Sequence, residues 1–379
     1  MRFVVRLVFS TVFACLACGS ISRQPLPLSA HAIKADAAEL KQFPLDPHLP
    51  GNPPKLGQRH WSGPFYPLPY STKNSGNSYV SVVQPSSGGV EFWANGWGPK
   101  GAVERTIFVR RGPAIDKLGD EKIMFDGTVI TDVPDMKDPT KLAPGRGFTR
   151  PYMMYDADVG YVLLCCVCPD YKPGSVPLLP ALVVSETGKK GTWKYLGKLK
   201  GEPQAEYDAQ LKKTKRHIWS DGGTIIRLKD KSWRIYLNGF GQAMAILESK
   251  KLEGPWKFRR DKEGEILESL TTFPRTPRRG GIWVNVLRIA DNNWHVWLTD
   301  TWPAQSIWHY QSKDGLAWEA YGKQPEITRA VAGNRGIKCL RTYYDKKTNE
   351  IVGLLAIWTT KPDGSKGWMP NVSRMTVKP

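Results

Sequence analysis

Three stretches of the sequence are nearly the same and recur at a constant interval. They are VSETGKKGTWKY at 184–195, LESKKLEGPWKF at 247–258 and YQSKDGLAWEAY at 310–321. Each has a serine, a short polar run that contains glycine, and then a tryptophan. The serines Ser185, Ser249 and Ser312 are separated by 64 and 63 residues. So regular a period predicts a repeat architecture.

A hairpin pattern lies upstream of each repeated phrase. In YDADVGYVLLCC (155–166), a polar turn separates two runs of apolar, β-branched or aromatic residues, which is typical of two antiparallel strands. The same pattern occurs at 228–239, 289–300 and 343–358, and in a weaker form at 82–97. Each unit therefore predicts four strands, with the serine–tryptophan phrase as the turn before the last strand.

Four antiparallel strands repeated about every 60 residues are typical of β-propeller blades. The prediction is an all-β, five-bladed β-propeller over residues 75–379, preceded by an extended, Pro-rich N-terminal arm at 33–74. One blade cannot bury both of its faces, so each repeated tryptophan should pack between neighbouring sheets. The last blade lacks an outer strand in the sequence, and the arm is a candidate to supply it and latch the ring. The blades are predicted near 75–130, 148–200, 218–268, 280–328 and 336–379.

The first residues have the layout of a secretory signal peptide. Two arginines precede an apolar run that is too short to span a bilayer, and no second stretch is long enough to do so. Cleavage is expected after Gly19 or as late as Ala32, and Cys18 offers an alternative as a lipoprotein anchor. The sequence therefore predicts a secreted or periplasmic protein. Four further cysteines, Cys165, Cys166, Cys168 and Cys339, fit either buried free thiols or an oxidised pair.

The net charge of +19 favours a polyanionic partner. An acidic poly- or oligosaccharide suits an exported protein better than a nucleic acid does, and the protein is expected to be a monomer. The sequence contains no P-loop, dinucleotide-binding, zinc-protease or nucleophile-elbow motif. These absences give no support to ATP, NAD or serine-esterase chemistry.

In a propeller, the residues just before each inner strand surround one mouth of the central channel. The candidates there share a charge or a ring: for substrate binding they are Arg150, Arg278, Arg279, Arg335, Trp219 and Trp97, and for catalysis Asp221. An arginine fork suits a carboxylate or sulfate, whereas the tryptophans suit the face of a sugar. The alternatives are pairing of these arginines with acids of adjacent blades, and a turn role for Asp221.

The turn Ser312-x-Asp314-Gly315-x-x-Trp318 and the segment SDGGTIIRLKDKSWRIYLNG (220–239) resemble those of five-bladed propeller glycosidases. These are glycoside hydrolase family 43 and the invertase and levanase relatives of family 32. The resemblance implies three carboxylates in the channel, of which Asp221 matches one. Where the family has Glu-Gly-Pro at a blade opening, this chain has Arg279-Gly280-Gly281, which marks it as divergent.

Hydrolysis of a glycosidic bond needs one carboxyl group to protonate the leaving oxygen and another to activate water or attack the sugar. The candidate partners of Asp221 are Asp135 or Asp138, Glu265 or Glu268, and His217 as the acid. Asp135 and His217 also fit ordinary loop positions. The sequence therefore predicts a glycoside hydrolase-like propeller, with a non-catalytic carbohydrate-binding propeller or a sialidase-like enzyme as alternatives. No cofactor is expected, although a structural calcium ion would suit this fold.

Overall fold

The structure is a computed structural model in which five antiparallel sheets form a closed ring. It describes residue 61 and residues 65–68, 75–97, 104–135, 137–138, 140–168, 179–205, 222–240, 243–264, 266–269, 282–299, 306–360 and 364–376. The predicted signal peptide and most of the predicted arm lie outside these residues. No helix in the described part of the chain has the length and hydropathy needed to span a bilayer.

Each sheet contains consecutive strands of the chain, except that the first strand, β1 (Tyr66–Pro67), joins the last sheet. The first sheet contains β2 (Ser75–Val83), β3 (Val90–Trp97), β4 (Glu104–Gly112) and β5 (Lys122–Asp126). The second contains β6 (Gly147–Asp156), β7 (Gly160–Cys168), β8 (Leu179–Ser185) and β9 (Lys194–Lys198).

The third and fourth sheets each divide their outer position between two short strands. The third contains β10 (Gly223–Arg227), β11 (Trp233–Phe240), β12 (Ala243–Ser249), β13 (Lys257–Phe258) and β14 (Glu268–Ser269), the last two both paired with β12. The fourth contains β15 (Ile282–Ala290), β16 (Asn293–Thr299), β17 (Ser306–Ser312), β18 (Glu319–Ala320) and β19 (Ile327–Thr328), the last two both paired with β17. The fifth contains β20 (Ile337–Asp345), β21 (Glu350–Thr360), β22 (Lys366–Thr376) and β1.

The first long strand of each sheet is the inner one, and these strands contact one another around the ring. The strand β2 packs against β6, β6 against β10, β10 against β15, β15 against β20, and β20 against β2. The five-bladed propeller predicted from the sequence is therefore confirmed. Because the middle strands are covered by neighbouring blades on both faces, β7 is an unbroken buried run, GYVLLCCVC. The outer strand β18, in contrast, is exposed.

The repeated phrase forms the turn before the outer strand, as predicted. In the fourth blade, the Ser312 hydroxyl accepts hydrogen bonds from the backbone N–H of Gly315 at 2.9 Å and of Asp314 at 3.2 Å. The Asp314 carboxylate accepts the backbone N–H of Leu316 at 2.7 Å. Gly315 has φ = 72°, a left-handed conformation that glycine adopts most readily. Serine and glycine therefore recur because the turn needs a hydroxyl acceptor and a residue without a side chain, and in the fourth blade the Asp314 carboxylate adds a further acceptor.

The tryptophan of each turn packs against the preceding blade, which confirms the predicted inter-blade role. Trp193 of the second blade lies 5.3 Å from Trp93 and 4.9 Å from Phe125, both in the first blade, between ring centroids. Trp318 lies 6.2 Å from Tyr236 of the third blade. The Tyr236 hydroxyl also donates a hydrogen bond to the Gly315 carbonyl at 2.9 Å. The turn of the fourth blade is thus held by both an aromatic contact and a polar contact from the third blade.

The strand β1 completes the fifth blade from the N-terminal side of the ring. Tyr66 and Pro67 pair with Val372 and Asn371 of β22, as expected for a latch supplied by the arm. Nearby, the indole of Trp61 is buried between Phe65, at 5.3 Å, and Trp297 of the fourth blade, at 6.4 Å. The latch therefore joins the last two blades as well as closing the ring.

We predict that replacing Trp61 with alanine lowers the free energy of unfolding by about 3–5 kcal/mol, because a buried indole would leave a cavity. Tyr66→Ala is the matched control, since the Tyr66 side chain lies on the same latch but is 41% exposed, and it should change that free energy by no more than about 0.5 kcal/mol. Urea unfolding followed by far-ultraviolet circular dichroism measures the free energy of unfolding of both variants. Equal losses in the two variants would show that the latch contributes only through its backbone pairing.

Candidate functional site

The inner strands begin at one mouth of the central channel, and most of them are irregular there. In four of the five blades the register between the inner strand and its partner shifts near the start of the strand. The shifts lie between Ser75 and Val80, Thr149 and Tyr152, Ile282 and Asn285, and Ile337 and Leu340. Bulges of this kind turn side chains away from the regular alternation and are common beside functional sites. The side chains that face the channel are therefore set by the bulges as well as by the strands.

Two bulges contain residues in the left-handed region of backbone conformation. Arg150 has φ = 54° and Trp283 has φ = 64°, which costs a non-glycine residue of order 1–3 kcal/mol. Both side chains are buried, so packing at the hub maintains these conformations. Strain of this kind is concentrated at ligand-binding sites, which makes this mouth the candidate site.

Four blades contribute to a cluster of rings and cations at this mouth. The Lys338 ammonium lies 4.5 Å from the ring centroid of Tyr79 and 5.5 Å from that of Trp283. The Arg150 guanidinium lies 5.3 Å from the Tyr79 ring, and the Tyr79 and Trp283 rings meet edge to face at 6.4 Å. Contacts between cations and aromatic faces at these distances are attractive. We call Tyr79, Arg150, Trp283 and Lys338 the mouth cluster.

The third blade reaches the mouth through a glycine. A Cβ atom at Gly222 would lie 3.3 Å from the Arg150 Cβ and 3.5 Å from the Arg341 Nη2, so the absence of a side chain permits this approach. Gly222 has φ = 97°, which also favours glycine. Arg341 lies on β20 and is 2% exposed. The hub thus brings two arginines from different blades to the start of β10.

Small polar side chains link the inner strands farther along the channel. The Asn285 amide donates to the Thr342 hydroxyl at 2.6 Å, and the Thr224 hydroxyl accepts the backbone N–H of Val286 at 3.1 Å. The Ser81 hydroxyl likewise accepts the backbone N–H of Met153 at 3.0 Å. Each bond joins adjacent blades, so the walls of the channel are polar and held in register by side chains.

A cavity of about 420 Å³ opens where the inner strands end, at the mouth opposite the cluster. Its walls come from the ends of β2, β6, β15 and β20 and include Tyr152, Arg288 and Thr342. Burial raises the pKa of Tyr152 to about 12, and the neighbouring Arg341 opposes this effect. The phenol therefore stays neutral at physiological pH, and the hub around it is a low-dielectric environment.

The structure describes three of the ten predicted site residues with their side chains. Arg150 lies in the mouth cluster. The Arg335 guanidinium donates to the Ala332 carbonyl at 2.8 Å and to the Thr359 hydroxyl at 2.6 Å, which fixes the loop before β20. The Asp135 carboxylate accepts the backbone N–H of Lys137 at 2.7 Å. This contact of Asp135 is typical of a turn residue, and the catalytic role of Asp135 stays a prediction. Three residues earlier, Asp132 accepts a hydrogen bond from the Tyr195 hydroxyl of the outer strand β9.

The other predicted site residues, or their side chains, lie outside the part of the chain that the structure describes. Asp221, His217, Trp219, Arg278 and Arg279 lie outside the described residues, as do the side chains of Glu268 and Trp97, whose backbones belong to β14 and β3. The described residues contain no cluster of three or more His, Cys, Asp or Glu side chains arranged to hold a metal ion. Cys165, Cys166, Cys168 and Cys339 are buried and are not joined by disulfides, in line with the first of the two predicted alternatives.

Tyr79, Trp283, Lys338 and Arg341 were not predicted as site residues. The predicted residues precede each inner strand, but the bulges bring residues inside the strands to the channel. A basic residue near the start of a predicted inner strand, such as Lys338, is the signal that could have identified this group.

A second polar cluster is buried between the fourth and fifth blades. His295 Nδ1 lies 2.9 Å from His309 Nε2, and His309 Nδ1 lies 3.9 Å from a Glu326 carboxylate oxygen. Both imidazoles stack on Trp297, at 5.8 Å and 4.5 Å between ring centroids. Burial, together with the neighbouring His309, lowers the pKa of His295 from 6.5 to about 3. His295 therefore stays neutral in the folded protein over most of the acid range.

Comparisons with known proteins agree on the fold. No protein-family model matches the sequence, and no curated protein matches it. Among solved structures, the catalytic domain of a GH62 α-L-arabinofuranosidase from Coprinopsis cinerea is similar with a TM-score of 0.53 and 12% identity, covering 84% of this chain and 98% of that one. An exo-β-1,3-galactanase from Phanerochaete chrysosporium, in complex with β-1,3-galactotriose, has a TM-score of 0.53 and 8% identity over 84% of this chain and 66% of that one.

A third similar structure carries a different activity. An N-acetylgalactosamine deacetylase from F. plautii, in complex with blood group B trisaccharide, has a TM-score of 0.51 and 11% identity over 83% of this chain and 94% of that one. This chain has the five-bladed fold found in propeller glycosidases. At these identities the similarity shows the fold alone, and the fold hosts more than one reaction.

We predict that stability falls as the pH is lowered from about 6.5 towards 3 and that His295 contributes to this fall. Between these pH values the unfolded chain protonates His295 and the folded chain does not, so the unfolded state binds more protons and gains in relative stability. His295→Gln should flatten the dependence of the melting temperature on pH over this range. Between pH 7 and 9 both proteins should show the same slope. An unchanged acid slope in the variant would contradict the buried neutral state of His295.

Proposed function

We propose that this protein acts on glycans that bind at the mouth cluster. The observation that carries the proposal is the convergence of Tyr79, Arg150, Trp283 and Lys338 from four blades at one mouth. Aromatic side chains and charged donors are the groups that bind the apolar faces and hydroxyls of sugars. The galactanase and deacetylase with this fold were solved with glycans bound, which supports the same ligand class here.

The reaction that fits this fold and site is hydrolysis of a glycosidic bond. Asp221 is the proposed channel carboxylate, because it directly precedes Gly222, which lies beside both hub arginines. A second carboxyl group is required. Asp135 and Glu268 are the candidates for it, and His217 is the candidate acid. Trp219, Trp97, Arg278 and Arg279 are proposed to extend the binding surface, with Arg335 fixing the loop next to them.

The preferred glycan is proposed to be acidic or sulfated. The chain has a net charge of +19, and the described hub carries Arg150, Lys338 and Arg341. Such a site attracts anions and binds them more strongly in a low-dielectric environment. Export of the protein, with the N-terminal segment as its signal, would place it where polysaccharides occur.

Binding without catalysis is the second candidate. It is favoured by the cationic residues of the described hub and by Arg279-Gly280-Gly281 at the position of the glycosidase Glu-Gly-Pro. The number of blades disfavours the sialidase-like alternative, because this ring has five blades and a sialidase is expected to have six.

We predict that Asp221→Asn lowers the release of reducing ends from the best substrate of a polysaccharide panel by at least about a hundredfold, the usual effect of removing a catalytic carboxyl group. Binding of the same glycan should persist. Asp230→Asn is the matched control, since Asp230 is an exposed turn aspartate whose carboxylate accepts the Ser232 backbone N–H at 3.1 Å. It should retain full activity.

The same panel separates the two candidates. Binding without hydrolysis by the unmodified protein would favour the binding module over the enzyme. Full hydrolysis by Asp221→Asn would remove Asp221 from the mechanism. The absence of both binding and hydrolysis for every glycan would overturn the proposed function.

A further inference from the structure

Arg341 is a buried cation without an acidic partner among the residues that the structure describes. Its side chain is 2% exposed, and its Nη1 donates to the Val284 carbonyl at 2.8 Å. The Nε and Nη2 atoms have no hydrogen-bond partner, and Arg341 forms no ion pair within the described part of the chain. A buried charge is costly unless a counter-charge or hydrogen bonds compensate for it. Counting only the described residues, the hub therefore has one positive charge that no acidic side chain neutralises.

The two unpartnered nitrogens form one edge of the guanidinium group. Nε–H and the adjacent Nη2–H point in the same direction and make a planar fork, which fits the two oxygens of a carboxylate. The opposite side of the group is occupied by the bond from Nη1 to Val284. The geometry of the free edge thus favours a planar, two-oxygen anion over a single ion.

The surroundings of Arg341 suit a sugar that carries such an anion. The Tyr152 ring lies 5.7 Å from the Arg341 Cζ, and Gly222 leaves space beside Nη2. Asn285 is fully buried, and its carbonyl oxygen has no hydrogen-bond partner among the described residues, so it can accept a hydrogen bond from a hydroxyl group.

We propose that the hub binds the carboxylate of a uronic acid unit through the Nε–Nη2 edge of Arg341, with a ring hydroxyl donating to the Asn285 carbonyl oxygen. This inference rests on the proposed function and adds to it the class of sugar and the residue that selects it. Arg341 is a specificity-determining residue in this account, distinct from the mouth cluster that contacts the rest of the glycan.

The first test compares two sugars that differ only in charge. Isothermal titration of the full chain with galacturonate and with its methyl ester should give a dissociation constant at least about tenfold lower for the acid, as expected for a charge-assisted, bidentate contact. Glucuronate and its methyl ester form a second pair. Acetate tests whether the carboxylate alone is sufficient, and galactose 6-sulfate tests whether a tetrahedral anion is preferred.

The second test changes the arginine. Arg341→Gln and Arg341→Lys should both weaken galacturonate binding about tenfold or more, because the first removes the charge and the second removes the fork. Arg234→Gln is the matched control: Arg234 is also buried, but it pairs with Glu248 at 2.7 Å in the outer part of the third blade. It should bind galacturonate as the unmodified protein does. If Arg341→Gln does not fold, Arg341→Lys and the acid–ester pair still decide the question.

Several outcomes would overturn the inference. These are equal affinity for acid and ester, affinity for acetate equal to that for galacturonate, preference for the sulfated sugar, or unchanged binding by both Arg341 variants. If neutral oligosaccharides bind or are cleaved while uronic acids are not preferred, the proposed function stands and the role of Arg341 fails. If no sugar of any kind binds, both fail.

Discussion

Each blade is a sheet with two apolar faces, and the rest of the structure depends on burying both of them. No blade can do this alone, since strands such as β7 are buried along their whole length. The covering is done by the adjacent blades, and the repeated turn provides its most specific contact. A tryptophan from each turn packs on the preceding blade, and hydrogen bonds such as that from Tyr236 to Gly315 hold the turn in place. The β1 latch extends the same covering across the point where the ring closes.

Closure of the ring determines where chemistry can occur. It brings the starts of five inner strands together, so residues far apart in the sequence, such as Tyr79 and Lys338, become neighbours at one mouth. The outer turns satisfy most of the packing, which leaves the inner strands free to bulge and to hold strained residues such as Arg150 and Trp283. Below the mouth, Arg341 and Asn285 have buried polar atoms that no described residue satisfies. Strained backbone and unsatisfied buried polar atoms are more typical of a binding site than of a hydrophobic core.

Much of the fold could be predicted from the sequence, because the repeated phrase is enforced by local chemistry. The turn needs the Ser312 hydroxyl and the Asp314 carboxylate as acceptors and the left-handed backbone of Gly315, so the period of the blades can be recognised in the sequence. The candidate site was only partly predictable. Arg150 lies next to a proline near the start of its strand and was predicted. Lys338 and Arg341 lie inside a strand whose register shifts at a bulge, and no local sequence pattern indicates that bulge. The His295–His309 pair was missed because its members lie on adjacent strands, β16 and β17, and the register of that pairing is not evident from the sequence.

The central claim is that glycans bind where the inner strands begin, at a hub made of cations and rings. A crystal structure of the protein soaked with an oligosaccharide that ends in a uronic acid tests this claim most directly. The account predicts sugar density in contact with Tyr79 and Lys338 and the carboxylate within hydrogen-bond distance of Arg341. Sugar bound on the outer strands of a blade, with the hub occupied by water alone, would contradict it.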